Sequence, residues 1–321
     1  KDEVYSAVTN FYGRSGTDIL ETDGNKVTGR LVVEKDIDDD TMLYGSFTRG
    51  YKPGGSNLTY GREGEVAQIV VLPTFQEEIV DAFEVGLKTD LADGRVRLNT
   101  AAFLYNYEGL QYQATDPEVF EGGVGNIPDS EIYGAELELS TFLSDSVILD
   151  LRMSWLDTEI TANHLALDNV ESEAATNALL AQGIGLFSND VQVARAGRIQ
   201  NVKGNELAKT PSFTGNVALN WSNDHNWGEL KGTLQYTYRG GFKHRIFNNS
   251  QTDLVPNYDV LDIMLGFYPA SAENQHFEII GKNLFDQDGI NARFTDVFGV
   301  GATGDELIAP RQIMLRFVTQ F

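Results

Sequence analysis

The sequence contains no cysteine, which removes disulfides, thiolate metal sites and cysteine nucleophiles and is compatible with an oxidising compartment. Basic residues are scarce: Lys plus Arg number 24 against 47 Asp plus Glu, a formal charge of -23. With no basic patch to offset phosphate repulsion, nucleic acid is not an expected partner, and the acidic excess reads as solvated loops. Histidine occurs at His164, His225, His244 and His276, too dispersed for a zinc-site spacing, so no metal site and no cofactor are expected. No apolar run reaches the ~18 residues of a helical membrane span. A β-barrel stays open, because its strands alternate faces and keep mean hydropathy low. Lys1 to Tyr5 open without the charged and apolar regions of a signal peptide, so the chain is expected to start internally.

Helical periodicity is also scarce, whereas period-two alternation recurs, which is the signature of strands with one apolar and one polar face. Leu230, Leu234, Tyr236, Tyr238 and Phe242 share one face, opposite Lys231, Thr233, Gln235, Thr237 and Arg239. Val147, Leu149, Leu151, Met153 and Trp155 stand opposite Asp150, Arg152 and Ser154, and Tyr133, Ala135, Leu137 and Leu139 opposite Glu136, Glu138 and Ser140. The pattern predicts eleven strands, over 27–36, 42–51, 81–91, 95–112, 130–143, 147–160, 211–222, 229–245, 257–268, 276–285 and 309–321. Many exceed the usual soluble strand length.

The connections alternate between short and long. Turns at 37–41, 92–94, 144–146, 223–228 and 269–275 interleave with segments 52–80, 113–129, 161–210, 246–256 and 286–308. An antiparallel up-and-down sheet places every second connection at the same end, and outer-membrane barrels use tight turns at one end and long loops at the other. A Greek-key sandwich would not sort its loops this way. The fold class expected is all-β, a transmembrane antiparallel up-and-down β-barrel. Leu234, Leu149 and Leu137 then face lipid, and Gln235, Arg152 and Glu138 face the lumen. Trp155, Trp221, Tyr236, Tyr238 and Tyr268 suit an interfacial girdle. The longest connection, Ala162 to Leu207, is expected outside the cell with a short helix over Glu171 to Ala181.

Other motifs reduce to structure. Gly122-Gly123-Val124-Gly125-Asn126 precedes a strand rather than opening a helix, so it reads as a flexible loop and not a phosphate cradle. Asp38-Asp39-Asp40 lacks the glycine and distal glutamate of a calcium loop and serves a polar hairpin turn. No serine has a nucleophile-elbow context, and Glu136 and Glu138 are lumen-lining rather than a glycosidase pair, so no enzyme is expected.

Several segments, in order, resemble the TonB-dependent outer-membrane receptors. Tyr44 to Gly55 (YGSFTRGYKPGG) is similar to their strand rising into a glycine-rich loop. Glu84 to Lys88 with Asp93 to Asn99 resembles the next hairpin, and Ile132 to Glu138 the strand after it. Gly204-Asn205-Glu206-Leu207 with Pro211 to Thr214, Lys282 to Asp286, Ala309-Pro310-Arg311 and Phe317 to Phe321 complete the set, and the terminal Phe321 resembles an outer-membrane insertion signal. The resemblance implies that residues 27–321 are the C-terminal eleven strands of a probable 22-stranded barrel. Residues 1–26 would be an extracellular loop remnant, and the plug and first half-barrel are absent from this chain.

It further implies energy-coupled uptake of a scarce ligand such as a ferric siderophore, the alternatives being a passive porin or uptake of haem, cobalamin or an oligosaccharide. Outer-membrane lipid, lipopolysaccharide, a TonB-type energy-coupling protein and a small-molecule ferric chelate are the partners implied, in the outer membrane of a Gram-negative bacterium. Arg49, Lys52, Arg195, Arg198, Lys243 and Arg245 lie in loops or at loop bases. There basic groups can meet an anionic ligand through charge-assisted bonds, or pair with nearby carboxylates.

Overall fold

A computed structural model describes residues 2–9, 15–22, 26–57, 71–116, 122–272, 274–296 and 302–320. Its centre is an eleven-stranded antiparallel sheet in strict sequence order. The strands are β1 (Gly29–Asp36), β2 (Thr41–Lys52), β3 (Glu78–Leu91), β4 (Val96–Thr115), β5 (Gly122–Ser144), β6 (Val147–Ile160), β7 (Phe213–His225), β8 (Gly228–Arg239), β9 (Tyr258–Pro269), β10 (Gln275–Lys282) and β11 (Gln312–Thr319). Every neighbour in space is a neighbour in the up-and-down order, as the alternation of short and long connections requires. β1 and β11 are the sheet's two edges, and Leu31, Val33, Ile313 and Leu315 on them are exposed. Before the sheet, Asp2–Thr9 and Ser15–Thr22 pair as a separate hairpin that the alternation did not predict. Phe321 lies outside the described residues.

The register turns single-strand alternation into rows across the wall. One row runs Leu149, Leu219, Leu234, Ile263, and another Leu43, Leu87, Thr100, Leu137, Met153. The opposite face carries Lys88, Asn99, Glu138, Arg152, Asn216 and Thr237 in one row, and Asp90, Arg97, Ser140, Asp150, Ala218 and Gln235 in the next. Leu234, Leu149 and Leu137 therefore do lie opposite Gln235, Arg152 and Glu138. On the polar face, neighbouring strands answer each other: Arg97 Nε donates to Asp90 at 2.8 Å and Asn220 donates to Asp150 at 2.8 Å.

Two expectations are corrected at the long-loop end. Segment 113–129 is not a long loop: β4 and β5 stay paired up to Thr115 opposite Gly122, a hairpin that stands well above its neighbours. Gly122 to Asn126 is accordingly strand and not a flexible loop. The glycines there admit a neighbour, since Asn57 accepts from the Val124 N–H at 2.8 Å and donates to the Val124 carbonyl at 2.9 Å. A Cβ on Gly123 would meet the Asn57 Oδ1 at 2.4 Å. β8 ends at Arg239 instead of continuing to 245, and Phe242–Lys243 pairs separately with Leu254–Val255.

Above the wall a second packing unit forms. Ile127, Ile160, Ala166, Val202, Leu207 and Ile246 are its buried core, with Leu110, Tyr112 and Ile132 packed against them. Ile127 and Ile132 are five positions apart and would face opposite ways in strict alternation. Across from this stretch, on β4, Gly109 has φ +69°, and a Cβ there would meet the Glu77 carbonyl at 2.5 Å. The long connection between β6 and β7 contributes two helices, α1 (Asn169–Leu180), capped by Asp168, and α2 (Asn189–Ala196), capped by Ser188. The first overlaps the expected helix, displaced by two residues at its start; the second was not anticipated.

Candidate functional site: a cavity among the long loops

Beside this core lies a cavity of about 650 Å³, bounded by the tall β4/β5 hairpin and by the connections 161–212, 240–257 and 283–311. Tyr107, Gln111, Tyr112 and Gln113 come from the hairpin, Lys209 and Thr210 from the return to β7, His244, Arg245 and Phe247 from the second connection, and Arg293, Phe294 and Thr295 from the third. Aromatic faces, amide and hydroxyl groups and three cations thus share one concave wall, the composition of a ligand pocket.

Its charges are arranged with care for pairing. Arg245 is buried, and its guanidinium donates to Asp168 Oδ1 at 2.6 Å, Asp253 Oδ1 at 2.6 Å and Asn169 Oδ1 at 2.8 Å. Asp168 is also the helix cap, accepting from the Val170 and Glu171 N–H groups. Burial pushes the Asp253 carboxyl up, against the opposing pull of Arg245. Arg293 holds Asp305 with two bonds of 2.6 and 2.9 Å. His244 sits with Nε2 3.2 Å from Thr295 Oγ1, and its pKa is pushed down to about 4, first by burial and then by Arg245, Arg293 and Lys209. The imidazole thus stands among three cations, two of them matched by Asp168, Asp253 and Asp305, with Asp253 Oδ1 3.8 Å from its Nε2. Lys209 has no carboxylate partner among the described residues; its backbone sits at φ +64°, with its N–H on the Lys243 carbonyl at 2.7 Å.

The six basic residues singled out from sequence separate into different roles. Arg245 lines the cavity, fully engaged with carboxylates. Lys243 is next to it in the Phe242–Lys243 strand, half-buried, and does not line the cavity. Arg195 is buried on α2, its guanidinium 3.5 Å from Glu173 on α1 and 3.5 Å from the Asp116 carbonyl. Arg198 is exposed, and its carbonyl accepts from the Asp168 N–H at 3.2 Å. Arg49, at the top of β2, clasps Asp81 at 2.6 and 2.5 Å, and Lys52 is exposed at the end of the same strand. Neither lines the cavity. Lys209, His244 and Arg293 do, and sequence reading passed over them. Lys209 fell within the expected connection 161–210, and Arg293 lies in a hairpin, Ile290–Thr295 with Thr303–Leu307, within the expected connection 286–308.

Family comparison decides what kind of sheet this is. The family model for the TonB dependent receptor-like β-barrel matches residues 4–284. The chain belongs to the TonB-dependent receptor β-barrel family. The probable TonB-dependent siderophore receptor PiuA of Acinetobacter baumannii is 25% identical over 163 residues, which are 50% of this chain and 21% of that protein. Among solved structures, the ferric yersiniabactin uptake receptor FyuA of Yersinia pestis superposes with a TM-score of 0.68 at 20% identity, covering 96% of this chain and 39% of that one. The siderophore receptor PiuA of A. baumannii gives 0.66 at 17% identity, covering 96% and 37%. The chain thus spans about two fifths of these receptors, and the fold is shared along nearly all of it. The family consists of transport receptors of the Gram-negative outer membrane, which accounts for the apolar rows on one face and polar rows on the other.

Proposed function

We propose that this chain forms wall and outer vestibule of a receptor for energy-coupled import of a scarce ligand, with a ferric siderophore as the cargo. The observation that carries this reading is the cavity, set at the long-loop end of a TonB-dependent receptor sheet and lined by aromatic, amide and cationic groups. The long loops face the cell exterior and the tight turns the periplasm. The apolar rows meet lipid and lipopolysaccharide, and β1 and β11 pair with further strands, because unpaired backbone groups at membrane depth cost several kcal/mol each. A TonB-type protein supplies the energy. Catalysis and nucleic-acid binding form no part of the role.

Deleting the gene should abolish growth under iron limitation when a single cognate iron chelate is the iron source, and leave growth on other chelates unchanged. A strain that loses haem, cobalamin or oligosaccharide uptake instead would reassign the cargo. Undiminished growth on every chelate tested, with lower permeability to small solutes, would favour a passive pore. An epitope inserted near Asn189 should be reachable by antibody on intact cells, and labelling only after permeabilisation would invert the topology.

A further inference from the structure

Arg245 was a natural candidate for ligand contact, yet its hydrogen bonding points elsewhere. A guanidinium has five N–H donors. Here Nε meets Asp253, Nη1 meets Asp168 and Asn169, and Nη2 meets Thr252 at 3.2 Å and Asp253 at 2.6 Å, in a buried setting. Each donor therefore has an acceptor, and turning one toward a ligand would give up a bond that this setting already supplies.

These acceptors come from different loops. Asp168 and Asn169 belong to the 161–212 connection, where Asp168 starts α1. Thr252 and Asp253 belong to the 240–257 connection. The third connection joins through the same residues: the Asn169 side-chain amide donates to the Asp296 carbonyl at 2.8 Å, and Arg293 donates to the Thr252 and Leu254 carbonyls at 3.3 and 3.2 Å. His244, adjacent to Arg245, bonds Thr295 on its side chain and the Asp253 carbonyl through its N–H at 2.9 Å.

We propose that Arg245 is a positioning residue: it clasps its own connection, 240–257, to the 161–212 connection, with the third held to both through Asn169 and Arg293, so that one prebuilt cavity wall forms, and it does not itself contact the cargo. The role of the cavity rests on the uptake reading above; the clasp itself can be tested without any ligand. A prebuilt wall needs less loop ordering when the cargo arrives, which favours capture. Lysine cannot stand in for arginine here, because a point charge with three donors cannot span two carboxylates and an amide in one plane.

The test uses the full-length receptor in outer-membrane vesicles, with Ala166→Cys as a reporter. Ala166 is 2% exposed on the cavity wall, and this chain supplies no other thiol. Labelling by a small bimane reagent should be slow in the parent and roughly tenfold faster or more with Arg245→Met, as breaking a buried ion pair implies. Arg245→Lys should not restore the slow rate. Asp168→Asn keeps an oxygen for the helix cap and weakens only the charge, so it should give a smaller, several-fold increase and covers the case in which Arg245→Met does not fold. Combined with Arg245→Met, it should add nothing further, the non-additivity of one shared interaction. Hydrogen exchange should rise together in 169–180, 244–254 and 290–296 while β6 stays protected. Unchanged labelling at position 166, exchange confined to 244–254, or additive effects of the two substitutions would overturn the clasp.

Discussion

The wall and the loop unit above it solve opposite problems with the same chain. In the wall, side chains alternate with period two and backbone ladders supply the order, so each residue's role follows from its parity and its height. In the loop unit, isolated residues far apart in sequence meet: Asp168 with Arg245, Asn169 with Asp296, Tyr112 with His164 at 2.8 Å. The wall leaves large apolar side chains exposed on its outer face, such as Phe83 and Trp155, whereas the loop unit buries an apolar core together with charged groups such as Arg195, Arg245 and Asp253. The difference teaches that in this fold rigidity is local in the wall and cooperative in the loops. Disturbing one residue should stay in place in the first and spread in the second.

The strongest way to break that comparison is Asp253→Ala. Asp253 is fully buried, receives Arg245 and accepts the Asn249 N–H at 2.9 Å. Removing one partner of a buried ion pair costs about 3–5 kcal/mol, and with Asp168 still holding the guanidinium the loss should fall toward the lower end, from the Nε and Nη2 donors left without Asp253. The loss should appear as protease sensitivity and fast hydrogen exchange across all three long connections, with the barrel's unfolding transition unmoved. Simultaneous loss of the wall would show that the two units are not separable.

Next in size is Leu234→Arg. Leu234 sits between Leu219 and Ile263 in an apolar row, and a charge facing lipid near the bilayer midplane costs roughly 2–4 kcal/mol. Gln235→Arg, one residue away on the polar face, should cost much less. The check is reversible folding of the full-length receptor into lipid vesicles under denaturant. Equal costs at the two positions would remove the face assignment.

A pH effect sharpens the loop side. His244 has its folded pKa pushed down to about 4, below the ~6.5 of a free imidazole. The folded state then binds fewer protons than the unfolded one between those values, so stability is fully present above pH ~6.5 and is lost as pH falls toward ~4, with a limit of about 3 kcal/mol. Asp253, facing the same cations, acts in the opposite sense: burial raises its pKa, so protonating it relieves a cost as pH falls through its folded value. Exchange in 244–254 should therefore accelerate on acidification to about pH 5, and His244→Gln should flatten that response. A flat response in the parent would mean the imidazole is not held neutral in the cavity wall.

How legible each region was follows from the same contrast. Strand alternation located all eleven wall strands, because parity is a local property that survives without knowing the partner. It misplaced the ends where pairing departs from local rules: Gly122 to Asn126 is strand because it stays paired with Gln111 to Thr115, and β8 stops at Arg239, after which Phe242–Lys243 pairs with Leu254–Val255. The site was legible only as a region. Arg245 could be singled out as a loop cation, but not as the bridge between residues 77 and 8 positions away. Lys209 and Arg293 carried no pattern at all, since their significance lies in which loops converge.

The smallest expected effect lies within the loop unit and tests how far its cooperativity reaches. α2 begins at Ser188, whose hydroxyl accepts from the Val191 N–H at 3.3 Å, and the sequence SND gives it an acidic first turn through Asp190. Ser188→Ala removes this cap and should cost about 1 kcal/mol. Val191 and Arg195 anchor the helix by burial, so the helix should fray at its first turn and persist beyond it. Arg245, Asp168, Asn169 and Asp253, which carry the clasp, belong to other elements than α2. Hydrogen exchange should therefore rise at 189–192 while 169–172 and 244–254 keep their protection. Increased exchange across the clasp segments would make α2 part of the cooperative unit and extend it to the whole of the longest connection.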